Sequence, residues 1–300
     1  CHAIALSRMN QSIQSPARKM DSIKRIGQPA EKAKSDEEEK VALKPIAPSL
    51  FGLPTKSNYD PVTGFVHCRV SRYSKHRYYL SFQAEDSESV SIIANKLKSS
   101  RTSNYHLFDA LRGGVNAKLS KKAGHYIGKL RRDKDQPVGY YTLYNSSREK
   151  EQVAAYVYDI PALMQQVTEG QPPRKMQAVI PKHAPSNEGK DGKSSRDVVK
   201  ASNGAPQNNR LLEHLHNGTW KHHKLVAVQT RDPKYHEGQY RLNFCGRVLT
   251  PSVKNMQLEN EQGECLLQFG RVNDETFHLD FKAPFTAFSA FGAALCQFDL

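Results

Sequence analysis

The sequence predicts a mainly β protein: a closed antiparallel barrel with one helix buried through its middle. Three observations carry this expectation. Short apolar–polar alternations recur along most of the chain, and the segments between them lack helical periodicity. The last segment is apolar or small on every side at helical spacing.

The alternation begins at Phe65. Val66, Cys68 and Val70, then Tyr78, Leu80 and Phe82, stand at every second position. Residues two apart face the same side of a strand, so each set marks one buried face. Further runs lie at 90–94, 140–144, 153–158, 176–180, 225–228, 240–244, 253–258, 265–269 and 277–281. Many short strands divided by turn residues point to a sandwich or barrel. An α/β fold needs helices between its strands, and the sequence mostly lacks them.

The final element differs. Phe285, Phe288, Phe291, Leu295 and Phe298 recur at helical spacing, and Ala287, Ala290, Ala293 and Ala294 fill the opposite side. No face suits water, so the helix is buried all round. In a chain otherwise made of strands, the lumen of a closed barrel is the place for it. A membrane anchor would need a polar, usually basic, opposite face, and no Lys or Arg occurs in 285–300. The stretch is also short of the ~20 apolar residues that span a bilayer, and Thr286, Ser289, Gln297 and Asp299 interrupt it.

The flanks read as solvated. Residues 1–56 are polar and charged, include the acidic run Asp36, Glu37, Glu38 and Glu39, and are expected to be disordered. Residues 57–300 form the expected folded domain. Within it, 184–209 is rich in Ser, Asn, Gly, Lys and Pro and reads as a low-complexity insertion. The chain begins at Cys1 rather than Met, and is read as a fragment or processed form.

Five cysteines (Cys1, Cys68, Cys245, Cys265 and Cys296) make an odd number with no CxxC pair. That pattern argues against a disulfide framework and a structural zinc site, and for a reducing compartment. His214, His216, His222 and His223 cluster around Trp220 without a cysteine, which suits a polar loop better than a metal site. The sequence holds no nucleophile elbow, phosphate-binding loop, HExxH or convincing carboxylate pair. The expectation is a protein that is not an enzyme and needs no cofactor or metal.

Charge gives the strongest functional signal. The chain has 44 Lys and Arg against 30 Asp and Glu, a net charge of +14. Such an excess calls for a polyanionic partner: nucleic acid, an anionic membrane or a lipid headgroup. Between 96 and 150 stand thirteen Lys or Arg against four Asp or Glu, so most of the excess is local. A charge run is ordinarily a solvated face, but this enrichment spans several strands and reads as a patch. Within it, Tyr126–Arg131 alternates like a strand, which puts Lys129 and Arg131 on one face. Two adjacent cations repel, and a phosphorylated ligand would relieve the repulsion through charge-assisted hydrogen bonds.

Several segments carry a resemblance. Arg101-Thr102-Ser103-Asn104-Tyr105 resembles KTSNY of the tubby and tubby-like proteins. Arg112-Gly113-Gly114 followed by Tyr126–Arg131 resembles their RGG and YIGKLR. Pro173-Arg174-Lys175-Met176 through Ile180-Pro181 resembles GPRKMSVIVP. Asn243-Phe244-Cys245-Gly246-Arg247-Val248 resembles NFxGRV, and Gln268-Phe269-Gly270-Arg271-Val272 resembles QFGRV. Residues 284–299 resemble the family's closing PLCALQAFAIALSSFD. Six motifs in the family's order, over roughly 65–300, make the resemblance specific. The chain departs from it in a longer interval between Gly114 and Tyr126, in Gly124-His125 before Tyr126, and in stopping at Leu300.

The resemblance implies about twelve strands around a central C-terminal helix. It implies binding of phosphatidylinositol 4,5-bisphosphate through Asn104, Lys129, Arg131 and Lys150, the last where the family commonly has Arg. Lys keeps the charge but loses the bidentate fork. Lys96, Lys98 and Arg101 are the expected supporting patch. The implied role is a monomeric peripheral membrane adaptor, its N-terminal segment engaging a protein cargo or transport partner. The expected location is the cytoplasm and the cytoplasmic face of the plasma membrane, with the nucleus or a cilium as further sites. The alternative is a DNA-binding, transcription-modulating protein. Without a recognition helix, its contact with nucleic acid would be unspecific.

Overall fold

The computed structural model describes residues 50–54, 59–83, 88–133, 139–147, 150–159, 175–182, 210–236 and 239–299. The insertion expected at 184–209 and residues 1–49 lie outside the described residues.

The described residues form fourteen strands: β1 Val66–Ser74, β2 Arg77–Gln83, β3 Glu88–Lys96, β4 Asn104–Asp109, β5 Tyr126–Arg132, β6 Tyr140–Asn145, β7 Gln152–Asp159, β8 Lys175–Pro181, β9 Leu225–Thr230, β10 Lys234–His236, β11 Gln239–Arg241, β12 Met256–Glu259, β13 Cys265–Arg271 and β14 Thr276–Phe281. Twelve of them close a barrel in the order β1-β14-β13-β12-β9-β8-β7-β6-β5-β4-β3-β2, and β10 with β11 makes a separate hairpin. The barrel is the one the alternation predicts: Val66, Cys68 and Val70 are buried on one side of β1.

A single helical turn, α1 (Ala110–Gly113), follows β4. The helix through the lumen is α3, Ala287–Cys296, and all of its residues are buried. Thr286 caps its N-terminus in a reciprocal pair with Ser289. The Phe288 N–H, which has no partner inside the helix, donates to the Leu50 carbonyl at 3.0 Å. At the other end the Lys254 ammonium donates to the Gln297 carbonyl at 2.8 Å, a cation where the helix dipole is negative. Tyr156 reaches in from the wall and donates its hydroxyl to the Ser289 carbonyl at 2.6 Å.

Several expectations shift. Leu50 is buried in the main core, and the Phe51 ring lies tilted against that of Phe288 with centroids 4.9 Å apart. The run at 240–244 is not a barrel strand. The Asn243 side chain accepts the Cys245 N–H at 2.8 Å, and Cys245 and Gly246 have φ of +49° and +80°, which turns the chain. The run at 253–258 becomes a strand only at Met256. The histidine-rich segment is partly helical: α2, Arg210–His216, buries Leu211 and Leu212 with Ala155 and Val179 on the outer face of the barrel.

Candidate anion-binding site

The candidate site is built on β4, β5 and β6. In β5, Leu130 is buried in the lumen and Gly128 lies against the central helix, so Lys129 and Arg131 alternate outward. Register brings the neighbours into place: Arg131 stands opposite Asn104 of β4 and Thr142 of β6, and Lys129 stands opposite His106 and Tyr144. Asn104 thereby shares an outer face with both cations. Two residues along a strand separate side chains by about 7 Å, so the pair can meet two phosphate groups.

Lys129 is half-buried, with its ammonium 5.0 Å from the Tyr144 ring centroid. A cation over a ring gains on the order of 0.5–1 kcal/mol, but the local field opposes it. Burial holds the Lys129 pKa below its usual value, and the charges of Arg131, Lys121 and Lys150 push the same way. Among the described residues, no carboxylate forms an ion pair with Lys121, Lys129, Arg131 or Lys150.

Lys150 comes from the β6–β7 turn. Its φ is +49°, an unfavourable conformation for Lys, and its N–H donates to the Ser147 carbonyl at 3.0 Å. Asn145 braces the turn by accepting the Ser147 N–H at 3.1 Å and donating to Glu151 at 2.7 Å. The turn keeps Lys150 close enough for its charge to act on Lys129. All four expected contact residues thus lie along one basic strip over β5. The Asn104 side-chain oxygen is buried without a hydrogen-bond partner, an unmet polar group in the strip.

The supporting residues divide. Lys98 and Arg101 are exposed in the β3–β4 connection, at the Asn104 end of the strip. Lys96 points the other way. Its ammonium meets the Asp299 carboxylate at 2.5 Å, inside the end of the barrel, where Tyr105 also donates to Asp299 at 2.7 Å. Inward positions alternate through Ile92 and Ala94 in β3, and Lys96 continues that series. It neutralises a buried carboxylate and is unavailable to the strip.

Sequence reasoning missed two neighbours. Lys121, from the β4–β5 loop, acts electrostatically on Lys129, and His106 lies beside Lys129 on β4. Lys121 stood in the counted run, but its fold-back over β5 left no trace in spacing. Among the described residues, no group of three or more His, Cys, Asp or Glu side chains is arranged to hold a metal ion. No helix of the described residues is long and apolar enough to cross a membrane.

The Tub family model matches residues 57–300. Tubby-related protein 2 of Mus musculus is 30% identical over 266 residues, covering 80% of this chain and 43% of that protein. Tubby-related protein 3 of Homo sapiens is 30% identical over 260 residues, covering 78% of this chain and 53% of that protein. Tubby-related protein 1 of Homo sapiens is 30% identical over 258 residues, covering 78% and 43%. The chain spans about half the length of the relatives it matches. With the closed barrel and its central helix, these matches show that the chain belongs to the Tub family.

Proposed function

We propose that this chain binds phosphorylated inositol headgroups at the surface of a membrane, with phosphatidylinositol 4,5-bisphosphate as the leading ligand. The observation that carries the reading is the basic strip of Asn104, Lys129, Arg131 and Lys150, whose cations have no ion-pair partner among the described residues. A phosphate dianion relieves the repulsion that disfavours the Lys129 charge, and takes charge-assisted hydrogen bonds from Lys and Arg. The net charge of +14 adds long-range attraction to an anionic leaflet, on the order of 1 kcal/mol for each cation near the surface.

In this role the chain is an adaptor that couples membrane lipid state to protein trafficking or ciliary transport, released when the lipid is consumed. It works in the cytoplasm and at the cytoplasmic face of the plasma membrane. A segment upstream of the barrel would engage the cargo. The test is co-sedimentation with vesicles carrying each phosphoinositide in turn. Retention by the bisphosphate lipid, displaced by soluble inositol trisphosphate, supports the reading. Equal binding to any anionic vesicle, or tighter retention by duplex DNA that the trisphosphate does not displace, moves the function to unspecific polyanion or nucleic-acid binding.

A further inference from the structure

The β4–β5 connection folds back over the outer face of its own strands. Leu119 is its anchor, packed with Tyr126 on the buried cluster of Ile93, Phe108 and Ala110. The Asp109 N–H donates to the His125 carbonyl at 2.8 Å, and the His125 ring lies 5.5 Å from that of Phe108. Between these fixed points Ser120 makes a tight turn: its carbonyl accepts the Ala123 N–H at 2.9 Å and its hydroxyl accepts the Lys122 N–H at 3.3 Å. The turn sets the backbone of Lys121 next to the anchor, with its side chain exposed.

His106 occupies the outer face of β4 beneath this loop. It stands opposite Lys129 of β5 and Asn95 of β3, and its ring is 5.7 Å from Tyr126. The residue is 8% exposed, and its Nε2 is buried without a hydrogen-bond partner. The charges that face it are Lys129 from β5 and Lys121 from the loop, while β3 offers the neutral Asn95. Burial, then these two cations, hold the imidazole pKa down to about 4, so the ring is neutral near pH 7.

We propose that Lys121 and His106 form a second phosphate subsite beside Lys129, filled by one phosphate of a headgroup whose other phosphate is held at Arg131 and Asn104. The ligand class is an inositol ring carrying at least two phosphate monoesters, free or as a lipid headgroup. This inference rests on the anion-binding reading above. A dianion placed between the lysines reverses the field on His106, so the ring takes up a proton and gains the partner it lacks. The sign follows. Because the bound-state pKa lies above the free-state value, affinity rises as pH falls through the bound-state pKa and levels off below about 4. The ligand's own phosphates lose charge near pH 6, an effect common to wild type and variants.

The test is calorimetric titration of the full chain with inositol 1,4,5-trisphosphate and with inositol 1-phosphate, in two buffers of different protonation enthalpy, beside a vesicle arm with the bisphosphate lipid. Lys121→Ala is expected to weaken the trisphosphate about tenfold, one charge-assisted contact, and the monophosphate much less. The loss should be similar in the vesicle arm. His106→Gln is expected to remove most of the proton uptake seen with wild type. A loss confined to vesicles, or unchanged proton uptake in folded His106→Gln, overturns the subsite. Lys121→Ala, at an exposed position, keeps the test decisive whatever His106→Gln does to folding. A wild-type chain that binds neither inositol phosphate nor bisphosphate vesicles overturns the underlying reading as well, and is distinguishable from an unaffected Lys121→Ala.

Discussion

Gly128 lies against the ring of Phe288. A Cβ at position 128 would come 2.7 Å from that ring and 2.2 Å from the Tyr144 carbonyl. The strand that carries Lys129 and Arg131 is therefore seated directly on the central helix. Site geometry and core packing meet at one residue that has no side chain.

Gly128→Ala tests that seating. Forcing a methyl between a ring and a carbonyl costs about 1–3 kcal/mol of overpacking. The expected result is a lower melting temperature together with weaker vesicle binding, since β5 must shift to make room. A variant with unchanged melting and unchanged binding would show that β5 is free to move without consequence.

Phe291→Ala tests the central helix alone. Phe291 is fully buried in the lumen, and truncations of this kind cost about 3–5 kcal/mol. Denaturant unfolding should show that loss. The folded fraction should still bind vesicles, because Phe291 does not touch the strip. A loss below ~1 kcal/mol would mean the lumen is loosely filled.

Lys96→Ala separates structure from binding. Removing the ammonium leaves the Asp299 carboxylate, 1% exposed, without its cation, although the Tyr105 hydroxyl still donates to it. A buried charge deprived of a partner costs about 1–3 kcal/mol or more. Stability should fall while the affinity of the folded protein for bisphosphate vesicles stays within about twofold, a few tenths of a kcal/mol. A stable variant with impaired vesicle binding would return Lys96 to the binding patch.

The Asp280 network sets a pH window. Arg247 donates to both Asp280 oxygens at 3.0 and 2.6 Å, His67 lies 2.9 Å away and Gln268 donates at 2.7 Å. The hydrogen bond to Asp280 raises the His67 pKa against the opposing effect of burial. Burial pushes the Asp280 pKa up, but hydrogen bonds from His67 and Arg247 outweigh it and the net direction is down. The His67 contribution is complete below 6.5 and is lost as pH rises through its higher folded value. The Asp280 contribution is complete above 3.8 and is lost as pH falls through its lower folded value. The stability gap between wild type and Asp280→Asn should be widest between those limits and narrow on either side. Denaturant midpoints from about pH 2 to pH 9 measure it, and a gap independent of pH would remove the network's ionic character.

Legibility in the sequence followed exposure to water. Strands with one wet face, such as β1, alternate cleanly and were readable from Val66, Cys68 and Val70. β4 did not alternate, because the β4–β5 loop covers its outer face and buries His106 and Phe108 as well as Tyr105 and Leu107. The central helix was legible because Phe and Ala leave it no polar side. Lys129 and Arg131 were legible as same-face neighbours, since period two needs only local spacing. Lys96 was not: its partner Asp299 lies 203 residues away, and only closure of the barrel brings the two together. Lys121 and His106 escaped for the same reason, being joined to the strip by a loop path that spacing does not encode.

The most direct measurement of the central claim is the affinity of Lys129→Ala/Arg131→Ala for vesicles carrying phosphatidylinositol 4,5-bisphosphate, read beside its thermal unfolding. Both side chains leave the core intact and share the strip with no carboxylate partner among the described residues. The expected result is loss of at least about a hundredfold in affinity, two charge-assisted contacts, with a melting temperature within a few degrees of wild type. Vesicle binding unchanged in a folded double variant would contradict the account.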